Sequence, residues 1–242
     1  MDLKEVKIWN VKFNLLTLEE IVSIVGGWLN AGKKGIHMTA VDACVTVLAQ
    51  KDQLVRKAIL ESDIVSVDSY LPARMLAKKG YDIKRRVPGP ELMEALLKDA
   101  DANGRKVFFL GAKEDTLQAL TKIISADYPN LVIAGCRNGY FSDSEEAEIA
   151  KQISEVAPDY LFIGMPSPKK EQFILKFKSV IDAGVLFGVG GAFDARANVL
   201  KRPQGFLGEH GLEGFFRIIR RPRLYGNRIG VLCEFIKLAA KS

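Results

Sequence analysis

Between Lys106 and Val189, short apolar runs alternate with longer stretches of helical spacing, and this alternation restricts the fold more than any other feature. The runs are Lys106–Leu110, Leu131–Ala134, Tyr160–Ile163 and Val185–Val189. The spacing between them predicts helices over Glu114–Asp127, from the capping box Ser142-x-x-Glu145 to Val156, and over Lys169–Lys178. Runs that are apolar throughout, instead of every second residue, belong to strands covered on both faces. Strands each followed by a helix pair in parallel. The first hundred residues repeat the pattern less cleanly. Val6–Leu15 reads as two short extended segments, a hairpin candidate, and Thr17-x-x-Glu20 is a capping box for a helix to Leu29 closed by Gly32 and Gly35. Strands are predicted at Ile36–Thr39 and Ile64–Val67, and helices from Asp42 to Gln50, from Lys51-Asp52 to Glu61, over Leu71–Lys79 and over Glu91–Ala102. Arg85–Pro90 forms a rigid, basic loop. The fold expected is α/β, a Rossmann-like parallel sheet covered by helices on both faces over residues 1–200. A helical, arginine-rich appendage follows at 201–242, with helix over Leu207–Lys241 broken at Pro222.

A chain of 242 residues is long enough for a substantial core, and it shows no internal repeat or low-complexity linker. Cys44, Cys136 and Cys233 are odd in number and contain no CxxC pair, which points to a reducing compartment and away from disulfides or zinc. His37 and His210 are too few for a histidine-rich metal site. No apolar run reaches the length of a membrane span, and no signal-peptide core is present, so a cytoplasmic protein is expected. The net charge is +6. From Lys201 onward there are nine Lys/Arg against three Asp/Glu, so the whole excess lies in the appendage. Such a segment suits phosphates, whether of a nucleotide diphosphate, a nucleic acid or an anionic membrane.

Four strands end in glycine or acid: Val67-Asp68, Leu110-Gly111, Ile163-Gly164 and Gly188-Val189-Gly190-Gly191 with Asp194 beyond. In a parallel sheet these ends share one edge, where ligands of open α/β sheets bind. Glycines there let a backbone approach a ligand closely, although a tight strand-to-loop turn would use them too. Ser167 before Pro168 reads as an N-cap that leaves free N–H groups beside Lys169 and Lys170, either an anion cradle or ordinary capping. Gly188-x-Gly190-Gly191 is not a dinucleotide fingerprint, because Phe193 stands where the third glycine belongs. Asp68 and Asp42 are the candidate carboxylates. Asp68 suits a general base, and Asp42 equally fits a helix cap. Asp99-Ala100-Asp101 has a metal-binding DxD form but falls at a helix end, where solvated carboxylates are the simpler reading. With no metal and no other cofactor expected, the arginines of the appendage (Arg217, Arg220, Arg221, Arg223 and Arg228) would neutralise a departing diphosphate, or lie on a membrane with Phe215, Phe216, Ile218 and Ile219.

Arg86-Val87-Pro88-Gly89-Pro90-Glu91-Leu92, Val107–Gly111, Asn138-Gly139-Tyr140-Phe141, Ser167–Gln172, Gly188–Asp194, Lys201-Arg202-Pro203 and Gly211–Arg217 occur in an order that resembles the WecB/TagA/CpsF glycosyltransferases over nearly the whole chain. The resemblance implies inverting, metal-independent transfer of a sugar from a UDP-sugar to a polyprenyl-diphosphate-linked saccharide at the cytoplasmic face of a membrane. By position it makes Asp68 the base and gives Arg217, Arg223 and Arg228 the diphosphate. Three departures stand out: Ser69 where the family has glycine after the base, Asp42-Ala43-Cys44 in place of an Asn-x-Glu-like segment, and Pro168-Lys169-Lys170-Glu171 in place of Pro-Lys-Gln-Glu. The first two leave N-acetylmannosamine, glucose and glucuronic acid all open as donor sugars.

The combined expectation places UDP along Gly111, Tyr140, Ser167, Lys169, Glu171, Gly188, Gly190, Gly191 and Asp194, with Asp68 and Asp42 at the reacting end. Self-association into a homo-oligomer is left open. The rivals are a UDP-sugar epimerase, which would need no second sugar, and a basic-tailed module. The module would show salt-sensitive nucleic-acid binding, and the few aromatics among the arginines argue against that.

Overall fold

A computed structural model of the chain describes residues 3–197 and 228–241. The chain opens with an antiparallel hairpin, β1 (Glu5–Ile8) and β2 (Val11–Asn14). Its two-residue turn, Trp9-Asn10, has both residues at positive φ (54° and 56°), the backbone that matches strand twist in tight hairpins. Helix α1 (Leu18–Asn30) begins at the expected capping box: Glu20 N–H donates to Thr17 Oγ1 (3.2 Å) and Thr17 N–H to Glu20 Oε2 (2.7 Å). The remaining elements alternate: β3 (Ile36–Val41), α2 (Ala43–Lys51), α3 (Gln53–Leu60), β4 (Ile64–Val67), α4 (Tyr70–Lys78), α5 (Gly89–Ala102), β5 (Lys106–Gly111), α6 (Glu114–Asp127), β6 (Val132–Arg137), α7 (Glu146–Val156), β7 (Tyr160–Gly164), α8 (Lys169–Phe177), β8 (Val185–Gly188), α9 (Ala192–Arg196) and α10 (Arg228–Lys241).

Strands β3 to β8 form one parallel sheet in the order β4-β3-β8-β7-β5-β6, with helices on both faces, as the sequence predicts. The order differs from the 3-2-1-4-5-6 arrangement of dinucleotide-binding sheets. One face buries Phe109, Phe162 and Phe187 under α1, α5, α6 and α9, and the other buries Leu110, Leu161, Ile163 and Leu186 under α7 and α8. Phe162 stacks between Tyr160 and Phe109, with ring centroids 5.8 Å away on each side. Beside edge strand β4, the hairpin is fastened by Val65 N–H donating to Asn14 Oδ1 at 2.7 Å.

Two boundaries differ from the sequence reading. Glu145 accepts from the Ser142 N–H (2.8 Å), but the Ser142 hydroxyl also turns to that carboxylate, so a turn intervenes and α7 starts only at Glu146. Strand β6 continues to Arg137 through residues expected in a loop, because pairing with Phe109 and Leu110 carries it on. The expected helix over Leu207–Lys241 lies outside the described residues apart from α10. That helix is fixed to the body: Phe235 is fully buried, its ring 5.0 Å edge-on from Trp9, and Glu234 pairs with Lys51 of α2 (2.6 Å).

His37, inside β3, is enclosed with one ring nitrogen 3.3 Å from Ser62 Oγ. Burial first, and the Lys178 charge second, lower its pKa from 6.5 to about 3. The unfolded chain therefore takes up this proton below pH 6.5 and the folded chain only near pH 3. Its stabilising contribution is complete above pH 6.5 and declines as pH falls through that window. Urea midpoints at pH 7.5 and about pH 5, above the range where carboxylates titrate, should differ clearly for the wild type and much less for His37→Gln.

Candidate active site

All six parallel strands deliver their carboxyl ends to one edge, about 4.8 Å apart strand to strand. Along that edge come Asp68 after β4, Asp42 after β3, Gly188–Gly191 after β8, Ser167 and α8 after β7, Gly111 after β5, and Tyr140 after β6. The sequence-predicted residues of the body are thus brought together in one line. Arg217 and Arg223 lie outside the described residues, and Arg228 is placed only as the first residue of α10.

Asp68 does not cap the helix that follows it. Its Oδ1 accepts from Gly89 N–H (2.5 Å), the first residue of α5, and its carbonyl accepts from Arg86 Nη1 (3.3 Å). The basic loop 85–90 crosses the tip of β4 through Val87 N–H to Val67 C=O (2.8 Å). Gly89 permits the approach, since a Cβ there would sit 3.3 Å from Ala40 Cβ. A carboxylate set against a helix N-terminus is oriented and electrostatically supported. Asp42 is the N-cap of α2, its Oδ1 accepting from Val45 N–H (2.7 Å), so the simpler of its two readings is the one observed.

The strand-end glycines divide into two groups. At Gly111 (φ +135°) a Cβ would run into the Gly164 backbone, at Gly164 into the Phe193 ring, and at Gly188 into the Lys170 side chain (3.1 Å). These three serve packing within the protein, not approach to a ligand. Gly191 leaves open space and Gly190, at φ +54°, would bring a Cβ no closer than 3.9 Å to Met165 O, and they are where a bound group could meet backbone. Gly164→Ala should push α9 off the sheet and cost about 1–3 kcal/mol, read as a lowered urea midpoint. Asp194 lies half-buried in the first turn of α9.

Ser167 is not an N-cap. Pro168 precedes α8, and the Ser167 hydroxyl donates instead to Glu171 Oε1 (2.7 Å). Lys169 Nζ donates to Gly139 C=O (3.2 Å) and Phe141 C=O (3.3 Å) and sits 4.0 Å above the Phe141 ring, pinning the loop after β6. That loop presents Tyr140, 69% exposed, at the end of the line. Lys170, which the sequence reading set with Lys169 beside an anion cradle or on a solvated first turn, is instead buried and bonded to both Ser167 Oγ and Glu171 Oε1. Its signal was present in the sequence: Lys170, Phe173, Ile174 and Phe177 share one helical face, and that face is the buried one.

Asp99 and Asp101 stand at the opposite, amino edge. Asp99 Oδ2 accepts from Arg105 Nε (3.1 Å) and the Tyr160 hydroxyl (2.5 Å), and Asp101 Oδ1 from Asn130 N–H (2.7 Å). Asp99 is therefore a part-buried structural acceptor, not a solvated helix end. Burial and the Asp99 carboxylate push the Tyr160 phenol well above its ordinary range.

Residues 6–242 match the model of the family described as "Glycosyl transferase WecG/TagA/CpsF family". The chain belongs to this family. It is a glycosyltransferase. It is 29% identical over 190 residues to an N-acetylglucosaminyldiphosphoundecaprenol N-acetyl-beta-D-mannosaminyltransferase of Bacillus subtilis, covering 78% of this chain and 73% of that one. It is 27% identical over 216 residues to the protein of the same name from Staphylococcus aureus strain NCTC 8325, covering 89% of this chain and 84% of its relative. The line of residues at the carboxyl edge is the candidate active site of this glycosyltransferase.

Proposed function

We propose that this glycosyltransferase moves a hexose or N-acetylhexosamine from a UDP-sugar, with inversion and without a metal, to a saccharide linked to polyprenyl diphosphate, in cell-surface polysaccharide synthesis. The observation that carries the reading is the order of groups along the carboxyl edge. An exposed Tyr140 stands at one end, open backbone at Gly190–Gly191 in the middle, and an oriented Asp68 at the other. Uracil would stack on Tyr140, the diphosphate would lie by the glycines, and the acceptor hydroxyl would give its proton to Asp68. Attack opposite the leaving group breaks the bond from the anomeric carbon to the diphosphate and releases UDP. Arg217, Arg223 and Arg228 would offset the charge on that UDP. The polyprenyl-diphosphate acceptor is taken from the names of the relatives.

Contact with the membrane's cytoplasmic face would fall to the C-terminal segment. In α10, Ile229 (53% exposed), Cys233, Ile236 (46% exposed) and Ala240 recur on one outward stripe beside Lys237 and Lys241. Among the described residues no helix is long and apolar enough to cross a membrane.

The test is calorimetric titration with UDP, then UDP release from a panel of UDP-sugars with and without a polyprenyl-diphosphate saccharide analogue. Acceptor-dependent release supports transfer, and release without a second sugar overturns it. Arg217→Ala and Arg223→Ala should each slow transfer by about tenfold or more, the value of one charge-assisted phosphate contact. Unchanged rates would remove the arginine role. Sedimentation with anionic vesicles should retain the wild type and lose an Ile229→Asp/Ile236→Asp variant.

A further inference from the structure

Between β6 and α7 the chain from Asn138 to Phe141 is tied to three neighbouring elements. Asn138 Nδ2 donates to Glu114 Oε2 at the start of α6 (2.8 Å), and Asn138 Oδ1 accepts from the Tyr140 N–H (3.1 Å). Gly139 N–H donates to Ala112 C=O (2.9 Å), and a Cβ on Gly139 would sit 3.1 Å from Gly111 Cα, so the loop lies directly on the tip of β5. Phe141 packs against Phe173 of α8, with ring centroids 6.3 Å apart. Of these four residues only Tyr140 is exposed.

Lys169 completes the arrangement. It belongs to α8, after β7, yet it reaches past β5 to the loop after β6, two strands away in the sheet. The carbonyls that accept from its Nζ, those of Gly139 and Phe141, flank Tyr140, so one ammonium grips the backbone on either side of the exposed ring. An ammonium has three donors. Two are used on these carbonyls, and Nζ rests 4.0 Å above the Phe141 ring, a cation–π contact. A phosphate would have to break these contacts to be held by Lys169. The loop, by contrast, gains from them. An aromatic ring that swings freely must be ordered when a base stacks on it, which weakens binding, whereas a ring already held in place is not subject to that loss.

Resting on the reading of Tyr140 as the platform for uracil, we infer that Lys169 is a positioning residue: it holds the backbone on both sides of Tyr140 so that the ring is set for the base, and it does not meet the phosphates of UDP. Lys169 therefore serves the nucleobase end of the site, through the loop after β6, and is not part of an anion cradle.

The experiment is a double-mutant cycle on the full chain, with Lys169→Met, Tyr140→Ala and the two combined. Affinity is read for UDP by calorimetry and for uridine by displacement of UDP. Tyr140→Ala should weaken both ligands alike by about ten- to a hundredfold, the range for a base stacked on an aromatic side chain. Lys169→Met should also weaken both alike, by about three- to tenfold, as for ordering one loop side chain on binding. It should add little in the Tyr140→Ala background, because the two residues act as one unit. Lys169→Arg, which keeps the charge and the donors, should restore affinity. A loss for UDP with uridine unchanged would make Lys169 a phosphate ligand and overturn the inference. Additive losses, or no loss in Lys169→Met, would overturn it as well, leaving the platform intact. If Tyr140→Ala bound UDP as the wild type does, the platform reading itself would fall, and this inference with it. Failure of the wild type to bind UDP at all would defeat the nucleotide reading as a whole. Should Lys169→Met not fold by thermal melt, Lys169→Gln, which removes the charge from the Phe141 ring, takes its place in the cycle.

Discussion

Asp68→Asn is expected to lower the rate of sugar transfer by roughly 10²–10⁴-fold, the usual share of a positioned general base. At about 1.4 kcal/mol per tenfold this is roughly 3–6 kcal/mol of transition-state stabilisation. Asparagine is the informative replacement because its Oδ1 can still accept the Gly89 N–H that holds the native carboxylate at 2.5 Å. The tip of β4 and the crossing of loop 85–90 should therefore persist, and only proton acceptance is removed. UDP affinity should stay within about twofold, since Asp68 and Tyr140 follow opposite edge strands of the sheet. Single-turnover transfer and calorimetry on the same preparation separate the two effects. A full transfer rate in Asp68→Asn would remove the base assignment, and a matched loss of UDP binding would make Asp68 a binding group.

Phe235→Ala should be the most damaging change far from the sheet's edge. The side chain is fully buried, packed edge-on against Trp9 in the cluster formed by the hairpin, α2, α3 and β4. Truncating a buried phenylalanine costs about 3–5 kcal/mol, which for a chain of this size is a fall in Tm on the order of 10 °C. Leu54→Ala, at an exposed site in α3, is the control and should shift Tm little. An unchanged Tm in Phe235→Ala would mean that α10 is not docked on α2. The same anchorage makes deletion of 207–242 a poor probe of the arginines, because it strips the core along with the charge.

The sheet was legible in the sequence because its strands are apolar on both faces and its first helix carries complete start signals. Thr17 and Glu20 make both halves of their box, so that helix begins where composition places it. Ser142 and Glu145 offer the same letters, but the serine hydroxyl turns to the carboxylate instead of to a backbone N–H. Local spelling cannot tell the two outcomes apart. The glycines were harder. Sequence shows that Gly111, Gly164, Gly188 and Gly190 lack a Cβ, not what occupies the space, and only tertiary packing fills three of them with protein. Lys169 and Lys170 are neighbours of identical composition, yet helical phase sends one to the loop after β6 and buries the other. DxD was ambiguous for a related reason. Which edge of a sheet a helix end reaches depends on topology, and here it is the edge away from the site.

α9 is clamped by Arg196 to Glu94 and Asp127, and α10 is seated on α2, so the chain is moored to the body on both sides of residues 198–227. The entropic cost of such a closed span grows only slowly with its length. If arginines of that segment meet the leaving diphosphate as proposed, they do so at a local concentration that dilution of the protein cannot reduce. On that reading, loosening either mooring would change turnover without touching a single group that meets substrate.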